Sequence, residues 1–273
     1  MVTITLMSDR FDSIDVLFLG TGAADWPPPY PRPAGPTKPG ASRGFCSALI
    51  DGAILIDCGP TVPDAIDCFG VDRQRITDIL LTHTHDDHWN LDAIRRVAGA
   101  AQPINLWAHR SVLAAIPDID GIRPRETRIG ESFMLRDIAV TSLTANHDVG
   151  DQTALHFLLH KAQATLLYAT DGAWFPKDTW SHLMQTKLDA IIWDATCGQT
   201  QGDWRIFEHN SVDMINLMRQ TFTKQQVLSP DAKIYLTHLA QSLCAPHDEM
   251  TVSLAPQGLI PAYDGMTISI THE

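Results

Sequence analysis

The stretch Thr82-His83-Thr84-His85-Asp86-Asp87-His88 follows the apolar run Ile79-Leu80-Leu81 and precedes a helix-like segment from Asn90 to Gly99. In an extended segment side chains alternate faces, so His83 and His85 point the same way and can bind one ion. The turn into the helix then brings Asp87 and His88 back towards the same space. Imidazole nitrogens and carboxylate oxygens suit a borderline or moderately hard divalent cation such as zinc, manganese or iron. No cysteine stands nearby to build a closed structural zinc site, so a catalytic metal site is the expectation. The plain alternative is a solvated polar loop. Three histidines and two aspartates within residues 83–88, at a strand-to-helix junction, argue against it.

Length alone would allow two domains in 273 residues, but no linker divides the chain, and a single domain over residues 1–273 is expected. At 44% hydrophobic and 19% charged the composition is that of an ordinary globular protein. Its net charge of -12, from 20 basic and 32 acidic residues with no basic run, makes long nucleic acid a poor candidate ligand. Part of that negative charge belongs to the metal site, where bound cations would offset it. Cys46, Cys58, Cys68, Cys197 and Cys244 are an odd number at irregular spacings, which points to a reducing compartment. Met1 to Arg10 shows no basic region followed by an apolar stretch, and no apolar run has membrane-spanning length. A cytoplasmic protein without a membrane partner is the expectation.

Along the chain, Ile14 to Leu19 reads as a strand running into Gly20-Thr21-Gly22-Ala23-Ala24, either a tight turn or a close approach of backbone to a ligand. Prolines crowd Trp26 to Gly40, giving a stiff loop; a lid or a homodimer contact anchored by Trp26 and Tyr30 is the sharper reading. Phe45 to Ile50 and Ala53 to Asp57 form a hairpin about Asp51-Gly52. Asp57 is capped by backbone amides or orients a metal-bound histidine, the reading favoured here. The helix Pro63 to Phe69 carries Cys68, read as core packing. His109 opens a short helix as a surface residue, and the strand Ile138 to Ala145 delivers His147.

Within Ala154 to His160 the alternation puts His156 and His160 on one face, as half-exposed sheet residues. Thr165 to Ala169 ends in Thr170-Asp171-Gly172, where Asp171 is either a turn cap or a carboxylate able to bridge two cations. Leu188 to Trp193 leads to Asp194-Ala195-Thr196, and a polar stretch reaches His209 just before a helix marked by Val212, Ile215, Met218 and Phe222. Lys233 to Thr237 presents His238, His247 starts another helix, and Asp264-Gly265 is expected to join Gly258 to Pro261 with Met266 to Ile270 in a final hairpin.

Taken together, these features resemble the metallo-β-lactamase superfamily of metallohydrolases over essentially the whole chain. H-x-H-x-D-H stands as His83, His85, Asp87 and His88, and later ligands follow in family order as His147, Asp171 and His238. The resemblance implies an α/β fold, a four-layer αββα sandwich of two mixed sheets with helices outside. It implies two divalent metal ions, one held by His83, His85, His147 and Asp171, the other by Asp87, His88, Asp171 and His238. Zinc, manganese and iron all suit that donor set. A bridging aspartate in Thr-Asp-Gly resembles the phosphodiesterase branch. Within it, Leu19 to Ala24, Leu55-Ile56-Asp57-Cys58-Gly59-Pro60 and the placing of His209 are most similar to the phosphoribosyl cyclic phosphate phosphodiesterases. Members of that family carry a cysteine-rich, zinc-binding insert where this chain has its proline-rich segment.

The implied activity is hydrolysis of a small phosphodiester, cyclic esters included, by a hydroxide shared between the metals, with Asp87 and His209 as the catalytic side chains. His209 would donate a proton to the leaving group, and His247 is a further candidate for substrate contact. Ribonuclease Z, which trims tRNA precursors, shares the ligand set and is the first alternative. Its bacterial members carry a long insert between the third histidine and the bridging aspartate, whereas only 23 residues (171 minus 147 minus 1) separate His147 from Asp171. A metal-binding scaffold or sensor without turnover is the alternative from another class.

Overall fold

Along the first strand Val16 and Phe18 occupy one face and Leu17 and Leu19 the other. A strand apolar on both faces must be covered twice, and the fold supplies two layers of cover. The computed structural model describes residues 12–27, 38–98 and 103–272. The first half of the chain forms β1 (Ile14–Gly20), β2 (Ser47–Ile50), β3 (Ile54–Ile56), α1 (Val62–Cys68), β4 (Asp78–Leu80), α2 (Leu91–Ala98), β5 (Ile104–His109), α3 (Arg110–Leu113) and β6 (Ile122–Thr127). The second half forms β7 (Ser132–Leu135), β8 (Ile138–Thr144), β9 (Leu155–Lys161), β10 (Ala164–Ala169), α4 (Lys177–Leu183), β11 (Leu188–Asp194), α5 (Val212–Lys224), β12 (Leu228–Thr237), α6 (His247–Leu254), β13 (Leu259–Pro261) and β14 (Thr267–Ile270).

Two seven-stranded sheets result, ordered β14-β1-β2-β3-β4-β5-β6 and β13-β12-β11-β10-β9-β8-β7. Each is parallel over one half and antiparallel over the other, so both are mixed. Between them lies an apolar layer that takes Val16 and Phe18 of β1, Leu166 and Tyr168 of β10 and Ile192 of β11. Alternate residues point outward. Leu19, Leu55 and Ile79 meet Ile66 of α1 and Ile94 and Val97 of α2. On the far side Leu167, Ile191 and Trp193 meet Ile215, Met218 and Phe222 of α5. The four layers are the αββα sandwich, and among the described residues no helix is long and apolar enough to cross a membrane.

The outer layer of the second sheet has an aromatic centre. Phe222 is fully buried, with ring centroids 4.8 Å from Trp180, 5.9 Å from Trp193 and 6.0 Å from Phe175. Phe222→Ala is expected to cost about 3–5 kcal/mol, the usual scale for emptying a packed aromatic site. Urea denaturation of the two proteins measures it, and a loss below about 1 kcal/mol would mean that the layer collapses into the space left.

Three local expectations fail for physical reasons. Cys68 is exposed; α1 buries Val62, Pro63, Ala65 and Ile66, and helical spacing carries residue 68 to the outer side. His156 is buried rather than half-exposed. Its strand β9 is interior to the sheet, and Phe175 covers its ring edge-on at 5.6 Å. His160, further along the strand, is exposed. The final hairpin does not form: β13 pairs with β12 and β14 with β1, so Asp264-Gly265 carries the chain from one sheet to the other. Most of the proline-rich segment, including Tyr30, lies outside the described residues. Trp26 is described, and its indole N–H donates to the Leu239 carbonyl at 2.8 Å.

Candidate metal centre

In both sheets the parallel strands deliver their carboxyl ends to one edge. Asp57 follows β3, His83 follows β4, Asp171 follows β10 and His238 follows β12. Strand β8 runs parallel to β10 across β9, so His147 arrives at the same edge. Asp57, Asp171 and His238 each have positive φ, at 59°, 48° and 55°. Non-glycine residues rarely adopt this conformation, and three of them turn their chains sharply at the strand ends. Close backbone packing serves the same edge. A β-carbon on Gly59 would stand 1.8 Å from the Asp87 carbonyl oxygen, so only glycine lets the loop after β3 lie against the histidine loop. Gly20 plays a similar part, its α-carbon pressed against the Phe45 carbonyl, while Ala23 and Ala24 line the pocket itself.

Two four-residue clusters form, one of His83, His85, His147 and Asp171, the other of Asp87, His88, Asp171 and His238. In the first, His85 Nδ1 lies 3.0 Å from His83 Nε2 and 2.9 Å from His147 Nε2, and Asp171 Oδ2 lies 3.2 Å from His83 Nε2. In the second, Asp171 Oδ2 is 2.8 Å from His88 Nε2, Asp171 Oδ1 is 2.9 Å from His238 Nε2, and Asp87 Oδ2 is 3.3 Å from His238 Nε2. Ligand atoms at about 2.0–2.1 Å from a tetrahedral zinc stand about 3.3 Å apart, so the donor spacing suits such an ion. Asp171 is the residue common to both clusters.

The surrounding hydrogen bonds fix which nitrogen faces inward. Asp57 is fully buried and accepts from the Thr82 amide at 2.8 Å, from the Thr82 hydroxyl and from His88 Nδ1 at 2.7 Å. With its hydroxyl proton given to Asp57, Thr82 Oγ1 accepts from His83 Nδ1 at 2.9 Å. Both rings therefore carry hydrogen on Nδ1 and turn the Nε2 lone pair towards Asp171, as metal-ligating histidines do. His238 Nδ1 lies 2.7 Å from Thr196 Oγ1, which fixes the orientation of its ring. Lone pairs that converge on a carboxylate call for a cation between them, and the contact of Asp171 Oδ1 with His238 Nε2, although 2.9 Å long, is not aligned as a hydrogen bond. The electrostatics agree. Burial disfavours charge on His88 and His238, yet the surrounding carboxylates, Asp171 foremost with Asp87 beside it, together outweigh it and raise both well above the ordinary imidazole value. Burial, then the neighbouring His88, pushes His83 down to about 3. The carboxylates thus draw positive charge into a buried space, which divalent cations supply better than protons.

Asp57→Ala is expected to weaken metal binding roughly ten- to a hundredfold, as loss of a partner to a ligating histidine does. Competition with a chelator measures it, and an unchanged affinity would make Asp57 architectural only.

His209 lies beside the clusters. Its Nδ1 donates to Asp194 Oδ2 at 2.8 Å, and its ring stacks on that of His238 at 5.3 Å. Burial lowers its proton affinity, but the Asp194 carboxylate, with Asp171 behind it, reverses the sign and raises its pKa. A third grouping, Asp171, Asp194, His209 and His238, also has cation-binding spacing. The capping of α5 by Ser211, whose hydroxyl accepts from the Met214 amide, sets where the chain turns and so where His209 stands. His247 does not join the centre. It contacts Arg43 at 3.2 Å and Tyr263, in a neighbouring pocket that also takes in Trp26 and Lys38.

Several residues at the site went unread in the sequence. Asp194 is fully buried, holds His209, and accepts from the Thr196 and Asn210 amides. Glu208 Oε2 lies 3.7 Å from His147 Nδ1. Arg205 and Glu208 line the same pocket of about 200 Å³ as His85, His147, Asp171 and His209. Asp194 had a signal, since it ends an apolar strand as Asp171 follows one. Arg205 and Glu208 had none.

The chain matches the family described as a beta-lactamase superfamily domain over residues 53–238, more than half its length. No curated protein sequence matches it. Among solved structures, a diphosphatase of the PhnP family is 20% identical with a TM-score of 0.70, over 95% of this chain and 99% of that one. Zinc-bound PqqB from Methylobacterium extorquens is 17% identical with a TM-score of 0.69, over 93% and 99%. The short form of human tRNase Z is 22% identical with a TM-score of 0.65, over 94% and 100%. At such identities these structures speak for the fold. The family match covers strands and histidine loops from both sheets, and on that match the chain belongs to the beta-lactamase superfamily as a metal-dependent hydrolase.

Proposed function

We propose that the protein hydrolyses a small phosphodiester with two divalent cations, zinc or manganese, held by the two clusters that share Asp171. The observation that carries this reading is the single buried carboxylate facing four histidines, His83, His88 and His147 through Oδ2 and His238 through Oδ1. Bound there, the cations would polarise the phosphoryl oxygens and lower the pKa of a water towards neutrality. Asp57 and Thr82 hold the rings of His88 and His83 in the required tautomer, and Thr196 orients the ring of His238. Asp194 holds Nδ1 of His209, which leaves Nε2 to carry a proton to the departing alkoxide. The ligand roles of His83, His85, Asp87, His88, His147, Asp171 and His238 and the acid role of His209 belong to this reading.

Similarity to a diphosphatase of the PhnP family and to tRNase Z favours phosphorus ester chemistry. Substrate size is argued from this chain. The span from His147 to Asp171 is occupied by β9 and β10, which leaves no long insert there for tRNA, and the net charge is -12. The free cysteines fit a reducing, cytoplasmic setting. Metal analysis followed by a screen of cyclic nucleotides, cyclic sugar phosphates and aryl phosphodiesters tests the proposal. Turnover of at least one class is expected. Inertness towards all three, together with salt-sensitive tRNA binding and 3′-end trimming, would reverse it in favour of the tRNA nuclease.

A further inference from the structure

Four rings, those of His83, His88, His147 and His238, turn Nε2 towards the two clusters. Three of them are held from behind through Nδ1. Asp57 accepts from His88 at 2.7 Å, Thr82 Oγ1 accepts from His83 at 2.9 Å, and Thr196 Oγ1 lies 2.7 Å from His238 Nδ1. His147 is the exception. Its Nε2 faces the first cluster, 2.9 Å from His85 Nδ1 and 3.7 Å from Asp171 Oδ2, while its Nδ1 is buried without a hydrogen-bond partner among the described residues. A neutral imidazole that gives Nε2 to a cation carries its hydrogen on Nδ1, and a buried N–H left unpaired is costly.

The nearest carboxylate oxygen to that nitrogen is Glu208 Oε2, at 3.7 Å. Glu208 closes the 3-10 turn Trp204–Phe207, and its amide donates to the Arg205 carbonyl at 3.0 Å, so the backbone beneath it is fixed while its side-chain torsions stay free. The adjacent cation does not claim its carboxylate, because Asp203 takes Arg205 through Nε at 2.8 Å and Nη2 at 3.0 Å. An acceptor without a donor thus stands opposite a donor without an acceptor. Normal N–H···O distances are about 2.7–3.2 Å, a gap that a small turn of the glutamate side chain closes. Charge favours the closure. The first cluster counts one carboxylate, Asp171, where the second counts Asp87 as well, so a cation in the first has less negative charge around it. A carboxylate behind a ligating histidine makes that ring a stronger donor and supplies part of the deficit.

We infer that Glu208 is a positioning residue for His147: its carboxylate accepts the Nδ1 hydrogen, holds the ring with Nε2 inward, and so sets the cation affinity of the first cluster. This rests on the reading of His147 as a ligand and on no particular substrate. Chelator competition with zinc on the full chain reads the two stepwise affinities without turnover. Glu208→Ala is expected to weaken one of them about ten- to a hundredfold and leave the other unchanged. Glu208→Gln, whose amide oxygen still accepts a hydrogen bond, is expected to recover most of that loss. In a His147→Ala background Glu208→Ala should add nothing, because the group it holds is already gone. Unchanged affinities in Glu208→Ala, a loss in Glu208→Gln equal to that in Glu208→Ala, or the full loss repeated on top of His147→Ala would each overturn the inference. His147→Ala alone separates the two levels of the argument. If it weakens an ion while Glu208→Ala does not, only the role of Glu208 falls; if it keeps both ions at full affinity, His147 is no ligand and the inference falls with that reading.

Discussion

Asp171→Asn is expected to lose both metal ions and all measurable turnover together. Asparagine tolerates the positive φ of 48° at this position, so the substitution removes charge with little disturbance of the chain. The shared carboxylate faces His88 at 2.8 Å and His238 at 2.9 Å, and these rings hold it well below the usual carboxylate range although burial pushes it up. A neutral amide in its place leaves each cluster one anion short and turns an N–H donor towards a cation. The loss should exceed the roughly ten- to hundredfold expected of Asp57→Ala, which removes a support rather than a ligand. Metal content after gel filtration reads the outcome, and two ions retained per chain would remove the bridging assignment.

His209→Ala is expected to keep both ions and slow cleavage of alkyl phosphodiesters by about a hundred- to ten-thousandfold, the scale for loss of a general acid. Aryl esters should suffer far less, because a nitrophenolate departs without a proton. The geometry suits the imidazole to proton donation, since Asp194 at 2.8 Å fixes Nδ1–H and raises the pKa, so the ring holds a proton at a higher pH than it otherwise would. The grouping of Asp171, Asp194, His209 and His238 offers the competing role of ligand. Assaying one alkyl and one aryl ester, with metal content measured on the same samples, separates the two. Equal losses on both esters would remove the acid role, and loss of an ion would make His209 a ligand.

The legible part of the site was the local part. His83, His85, Asp87 and His88 sit within six residues, so alternation and one turn suffice to gather them. His147, Asp171 and His238 were found at strand ends, where parallel order brings them to one edge. Asp57 was legible for the same reason. Asp194 was missed because its meaning depends on His209, fifteen residues away, folding back onto it. His156 was misread because alternation along a strand tells which residues share a face but not whether another layer covers that face. The last hairpin failed on a related point, since a turn dipeptide between two apolar runs does not say that both runs join the same sheet. Arg205 was beyond reach in the sequence, since nothing local to it says that its loop folds over the pocket.

The most direct test of a two-metal phosphodiesterase is a metal titration. Protein stripped by chelator is loaded stepwise with zinc or manganese while hydrolysis of bis(4-nitrophenyl) phosphate is followed. Activity that rises to a break at two equivalents per chain is the expected result; full activity at one equivalent, or hydrolysis by the stripped protein, would contradict it.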